Sequence, residues 1–158
     1  MERPTFDVLG FLHEPGRPAS VATVSGRGRP ALATMWFLVE DDRLWFHTAE
    51  SPGLPAPFLR AREREEVAVM VATFNPPADV RQVRMTGPAR LEEQDHARVR
   101  RLYRRYVDES TPKWERQATS ATYRLWSMSP DRGMAVAYPG LHDGPVFRWS
   151  EPSALFRP

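Results

Sequence analysis

A chain of 158 residues, 41% hydrophobic and 27% charged, has the size and composition of one globular domain, able to bury roughly 70% of its unfolded surface. It has no cysteine, which excludes disulfides, thiolate metal sites and a cysteine nucleophile. A net charge of +2, with arginines interleaved among acids, argues against nucleic acid as the main partner. No stretch approaches the about 20 apolar residues of a membrane span.

In chain order, Thr5–His13 is predicted as a short helix capped by Thr5, with Phe6, Leu9 and Leu12 on one side. Ahead of it, Met1-Glu2-Arg3-Pro4 lacks the apolar run of a secretory signal, and the absence of cysteine fits an expected cytoplasmic location. Ala19–Ser25, small and β-branched, reads as a strand, and Gly26 to Pro30 as a turn. Ala31–Val39 and Arg43–Thr48 are two further strands joined at Glu40-Asp41-Asp42. Ser51–Pro57 is a proline-rich loop, and Phe58–Glu66 is predicted as a polar helix. Val67–Phe74 is nearly all apolar, the pattern of a strand buried on both faces.

After a turn at Asn75-Pro76-Pro77, Val80–Leu91 alternates, with Val80, Gln82, Arg84 and Thr86 on one side and Arg81, Val83 and Met85 on the other. Glu92–Val107 is the clearest helix, since Val99, Leu102, Tyr103 and Tyr106 recur at helical spacing. Its arginines, from Arg98 to Arg105, read as a solvated face. Ala121–Met128 and Met134–Tyr138 are the last expected strands. Residues 1–138 are taken as the body, and 139–158 as an irregular tail. The tail's Phe147, Trp149, Leu155 and Phe156 would be wasted in water and are expected to pack on the body or on a partner subunit. Sequential strands with few helices are best closed as a barrel, which removes free edges.

Simple readings remove several motifs. His13, His96 and His142 have no partners at metal-ligand spacing, so no metal site is expected. Asp41-Asp42 and Glu65-Glu66 read as a solvated turn and helix end. Gly26-Arg27-Gly28 lacks the spacing and the strand–helix context of a dinucleotide-binding loop.

The ordered series Ala19–Ser25, Gly28-Arg29-Pro30, Met35-Trp36-Phe37, Leu44 to Thr48, Ser51, Leu59-Arg60, Val67–Val71 and Gln82 to Leu91 resembles the FMN-binding split-barrel family, the pyridoxamine 5'-phosphate oxidase-like proteins. The resemblance spans about residues 5–128. It implies a mainly β fold, a six-stranded antiparallel split β-barrel with a few peripheral helices. It also implies a homodimer with a cofactor cleft between subunits. Carried over by position, Met35, Trp36, Phe46, His47, Thr48 and Ser51 would border the cofactor, with Gln82 of Arg81-Gln82-Val83 against its ring. The implied activity is a flavin (FMN)-dependent oxidoreductase acting on a small-molecule organic substrate.

Thr48 and Ser51 hydroxyls with loop N–H groups suit a phosphate. Gln82 both donates and accepts, which suits the mixed polar edge of an isoalloxazine ring. The chain departs from the family in its cations. Ser51 is followed by Pro52-Gly53-Leu54-Pro55, with no basic residue until Arg60, and Ala33 and Thr34 stand where relatives carry Arg. Three alternatives therefore accompany FMN with Arg60 or Arg62 at its phosphate. One is the deazaflavin coenzyme. Another is haem, with His47, His13 or His96 as ligand. The third is a non-redox ligand-binding or enzymatic role.

Overall fold

The computed structural model describes residues 7–24, 28–49, 66–108, 110–137 and 147–157. The elements are α1 (Val8–His13), β1 (Ala19–Val24), β2 (Pro30–Met35), β3 (Leu38–Glu40), β4 (Arg43–Ala49), β5 (Glu66–Asn75), β6 (Asp79–Leu91), α2 (His96–Arg104), α3 (Pro112–Ala118), β7 (Tyr123–Met128), β8 (Arg132–Ala137), β9 (Phe147–Trp149) and α4 (Pro152–Phe156). The strands pair antiparallel in the order β2-β1-β5-β6-β7-β4-β3, and β8 and β9 add to the free edge of β6. This is the mainly β, antiparallel split barrel with few helices that the resemblance implies, with nine strands among the described residues rather than six.

The split lies in β6. From Asp79 to Pro88 this strand pairs with β5, and its Arg81–Thr86 stretch also pairs with β8. From Ala89 to Leu91 it pairs with β7 instead. Gly87 sits at the changeover, where a Cβ would lie 1.6 Å from the Ser129 carbonyl oxygen. Only glycine allows the two chain segments to approach this closely.

Local chemistry explains the boundaries. Thr5 lies outside the described residues, and α1 is capped by Asp7, whose carboxylate accepts from the Gly10 N–H at 2.9 Å. Asp95 caps α2 in the same way through the Arg98 N–H at 3.0 Å, so the helix begins at His96 rather than Glu92. The β3–β4 hairpin turns on Asp41 and Asp42, both at positive φ (51° and 57°), the geometry of a two-residue hairpin that follows strand twist.

The strand expected over Ala31–Val39 is broken at Trp36-Phe37. Tyr106 takes over the backbone there: its hydroxyl accepts from the Phe37 N–H at 3.1 Å and donates to the Arg17 carbonyl at 2.9 Å. Of the helix expected over Phe58–Glu66, residues 58–65 lie outside the described residues and Glu66 opens β5. The short elements α3, β9 and α4 are not signalled by sequence periodicity.

The main core fills the barrel with Phe11, Val21, Phe37, Phe46, Val69, Val83, Met85 and Trp126. Phe147, Trp149 and Leu155 join it from the last described segment, and the Trp149 Nε1–H donates to the Pro130 carbonyl at 2.9 Å. A second core under α2 and α3 holds Leu38, Trp45, Val99, Leu102, Tyr103 and Leu125. Contrary to expectation, β5 is buried on one face only. Val67, Val69 and Val71 point into the barrel, whereas Ala68 and Met70 are exposed, because nothing among the described residues covers the outer face of this sheet. Among the described residues no helix is long and apolar enough to cross a membrane.

Candidate functional site

Strand β4 carries three of the expected site residues, and its alternation sends them to opposite faces. Phe46 points into the main core, fully buried and stacked on Trp126 with ring centroids 4.3 Å apart. His47 points the other way, under α2 and α3. Its Nδ1 lies 2.9 Å from the Tyr103 hydroxyl, and the Gln117 amide donates to the same oxygen at 2.9 Å. The Tyr103 hydroxyl thus lies within hydrogen-bond distance of both the imidazole and the amide. Burial, with a smaller push from the charge of His96, lowers the His47 pKa to about 4, so the ring is neutral.

His47 Nε2 and Thr48 Oγ1 are both buried without a hydrogen-bond partner among the described residues. A buried polar atom left this way costs about 1–3 kcal/mol unless something meets it. Both atoms lie near the end of β4, immediately before the segment that carries Ser51 and Arg60. Those two candidates lie outside the described residues.

Trp36 is drawn into the helical side. Its ring stacks on Tyr106 at 5.0 Å with 3° between the planes, and meets Tyr103 edge-on at 5.6 Å. The structure therefore joins Trp36 and His47 through a shared neighbour, Tyr103. Met35, at the end of β2, is half-buried against the main core.

Gln82 stands apart from all of these. It lies on the outer face of β6 with Arg84 and Thr86, as the alternation predicts, whereas Val80, expected on the same side, is buried. The part of β6 that pairs with β7 begins at Ala89, seven positions beyond Gln82, about 23 Å of extended strand.

The outer face that carries Gln82 also holds an open depression among the described residues. Register places Leu32 of β2 beside Ala22 of β1, Ala68 of β5 and Thr86 of β6. The next row runs Ser20, Met70, Arg84 and Met134. The small side chains Ala22 and Ala68 leave a depression between larger neighbours, and the cavity there measures about 730 Å³, within the range of small-molecule sites. Leu32 is 75% exposed and Phe74 78% exposed. Sequence reading finds the Gln82 and Arg84 face by alternation but misses the β8 and β9 contributions, Met134 and Arg148. Three-residue β9 carries too few positions to show a period.

The basic face of α2 is largely engaged within the chain. Arg98 and Arg101 each reach the Glu40 carboxylate at 2.7 Å, Arg98 also pairs with Asp41, and Arg100 pairs with Glu115 at 2.5 Å. The Arg101 and Arg98 hydrogen bonds hold the Glu40 carboxyl below its usual range, against the opposing effect of burial. Among the described residues no group of three or more His, Asp or Glu is arranged to hold a metal ion.

The sequence matches the family described as pyridoxamine 5'-phosphate oxidase over residues 9–137. No curated protein matches it. Among solved structures, the conserved hypothetical protein Rv2991 from Mycobacterium tuberculosis superposes with a TM-score of 0.66 at 21% identity, covering 90% of this chain and 92% of that one. HutZ, the haem storage protein from Vibrio cholerae, superposes at 0.65 with 14% identity over 85% of this chain and 94% of its own. A haem-binding protein from Mycobacterium smegmatis reaches 0.68 at 11% identity, over 98% of this chain and 61% of its own. At these identities the likeness is one of fold.

Proposed function

From the premise that this chain belongs to the pyridoxamine 5'-phosphate oxidase family, we propose that it is a homodimeric flavin-binding oxidoreductase whose cofactor lies between the outer sheet faces of two copies. One observation carries the reading. Strand β5 has the composition of a doubly buried strand, yet its Ala68 and Met70 face outward beside Leu32, over a cavity of about 730 Å³. A second copy would cover that face and turn an open depression into a flat-walled cleft.

The residues present fit a flavin. Ala22 and Ala68 leave room for a planar ring, Met70, Leu32 and Met134 supply apolar walls, and Gln82 offers donor and acceptor atoms on the same face, one row beyond Arg84. Buried polar atoms of His47 and Thr48, unmet among the described residues, mark a second place where a ligand would complete hydrogen bonds. Trp36 neighbours His47 through Tyr103, and Met35 precedes it at the end of β2. When bound, FMN would supply hydride or electron transfer to a small organic substrate; the protein would orient the ring, exclude water and tune its electronics.

Haem is less well served. Among the described residues the outer face carries no histidine: His13 is on α1, His96 on α2, and His47 lies beneath α2 and α3.

The test is the absorption spectrum of the purified protein, before and after adding FMN. A flavin band, or uptake of FMN at micromolar concentration, is expected. A colourless protein that takes up no FMN overturns the flavin assignment. Fluorescence titration with the deazaflavin coenzyme and inspection for a Soret band then show which relative's cofactor replaces it.

A further inference from the structure

The outer sheet face is apolar and cationic at once. Across the strands, register aligns Ser20, Met70, Arg84, Met134 and Arg148 in one row. Arg84 and Arg148 stand on either side of Met134, two strand spacings apart, about 10 Å, and both border the cavity. Neither has an anionic partner among the described residues. The third arginine of the face, Arg132, pairs with Glu66 at 2.6 Å. Glu66 is the one acid that the described strands place on this face, so no carboxylate there remains for the other two.

That charge pattern constrains how the face can close. A twofold contact repeats each residue, so two copies would bring four guanidiniums into one desolvated cleft. Burying an unpaired guanidinium costs more than the surrounding methionines and alanines return. A neutral flat ring would not relieve this, whereas an anion within reach of the arginines would, through charge-assisted hydrogen bonds.

We propose that the second copy closes on this face only with a phosphate-type anion seated on Arg84 and Arg148, so that anion binding and dimerisation are coupled. The inference rests on the dimer reading above and deepens it. It names the part of the ligand that the face recognises, the phosphate arm, and makes ligand occupancy the regulator of assembly. Coupling of this kind is reciprocal: whatever tightens the dimer tightens the anion by the same factor.

Sedimentation equilibrium of the full chain tests this in chloride and in inorganic phosphate at matched ionic strength, then with FMN and with riboflavin, which lacks the phosphate. Phosphate is expected to lower the dimer dissociation constant about tenfold or more, as is FMN, with riboflavin doing far less. The Arg84→Gln/Arg148→Gln variant should dimerise well in chloride and lose its response to phosphate. Arg148→Lys, which keeps the charge, should retain a response. Tightening by inorganic phosphate with none by FMN identifies a free anion as the occupant and still supports the coupling. A dimer indifferent to phosphate and FMN, or a double variant that responds like the wild type, overturns the inference and leaves the dimer reading standing. A chain monomeric under every condition removes the dimer reading, and the inference with it.

Discussion

The Nδ1 of His47 and the hydroxyl of Tyr103 are 2.9 Å apart, and Gln117 holds that hydroxyl from the other side. The contact spans β4 and α2, ties α3 to both, and keeps a neutral imidazole beneath the helices. Burial depresses the His47 pKa to about 4 from 6.5, so the unfolded chain takes up its proton first as pH falls. The sign follows: stability is complete above about pH 6.5 and declines as pH drops toward about 4, by up to about 3 kcal/mol in total from this group. His13, also depressed by burial and by Arg105, adds to the slope in the same direction. Urea midpoints measured across that window should fall for the wild type and much less for His47→Gln. Equal slopes for the two proteins would remove His47 as the source.

Tyr106 joins two separate parts of the fold through one oxygen. It accepts from the Phe37 N–H and donates to the Arg17 carbonyl where β2 and β3 break apart. Tyr106→Phe keeps the stack on Trp36 but strands a backbone N–H in a half-buried place. A loss of about 1–3 kcal/mol is expected, read as a lower urea midpoint with an unchanged slope. An unaltered midpoint would mean that water or another group reaches Phe37.

Gly87 is where β6 leaves one sheet for the other. A methyl group there would sit 1.6 Å from the Ser129 carbonyl oxygen, with the Asp131 backbone nitrogen at 3.0 Å. Both obstacles are backbone, so no side-chain rotation relieves them. Gly87→Ala is expected to cost at least about 3 kcal/mol, the upper range for overpacking, with thermal unfolding as the readout. A variant as stable as the wild type would show that the turn at Ser129 can move aside.

How much of this is legible in the sequence depends on the length of each signal. Thirteen-residue β6 is long enough to show its alternation, and that period alone puts Gln82, Arg84 and Thr86 on one face. Helix α2 is equally plain, but periodicity misplaces its start, because Glu92 to Gln94 are compatible with a helix and only the Asp95 cap fixes the first turn. By its position in the chain Trp36 reads as bordering a cofactor; the structure seats it between Tyr103, Tyr106 and Trp114. That packing depends on a strand break and a helix some seventy residues apart, and no local pattern encodes such a contact. The arginines of α2 look solvated in the sequence because their partners, Glu40, Asp41 and Glu115, lie on other elements. Strand β5 teaches the reverse. Its all-apolar run implies burial on both faces, and the described residues bury one, a mismatch that supports the covering partner proposed above.

Leu32 isolates that argument from stability. It is 75% exposed on β2, so a charge placed there desolvates little in the single chain. Leu32→Lys is expected to fold with a stability within about 0.5 kcal/mol of the wild type, as for most surface changes. On the proposed contact face the same lysine would be buried without a carboxylate, beside Ala22 and Ala68 and one row from Arg84. Self-association should then weaken by about tenfold or more, and FMN uptake should fall with it if the cleft forms only between two copies. Sedimentation and flavin titration on one preparation separate the possibilities. A variant that dimerises normally would move the contact to another surface, and one that stays monomeric yet takes up FMN like the wild type would place the cofactor within a single chain.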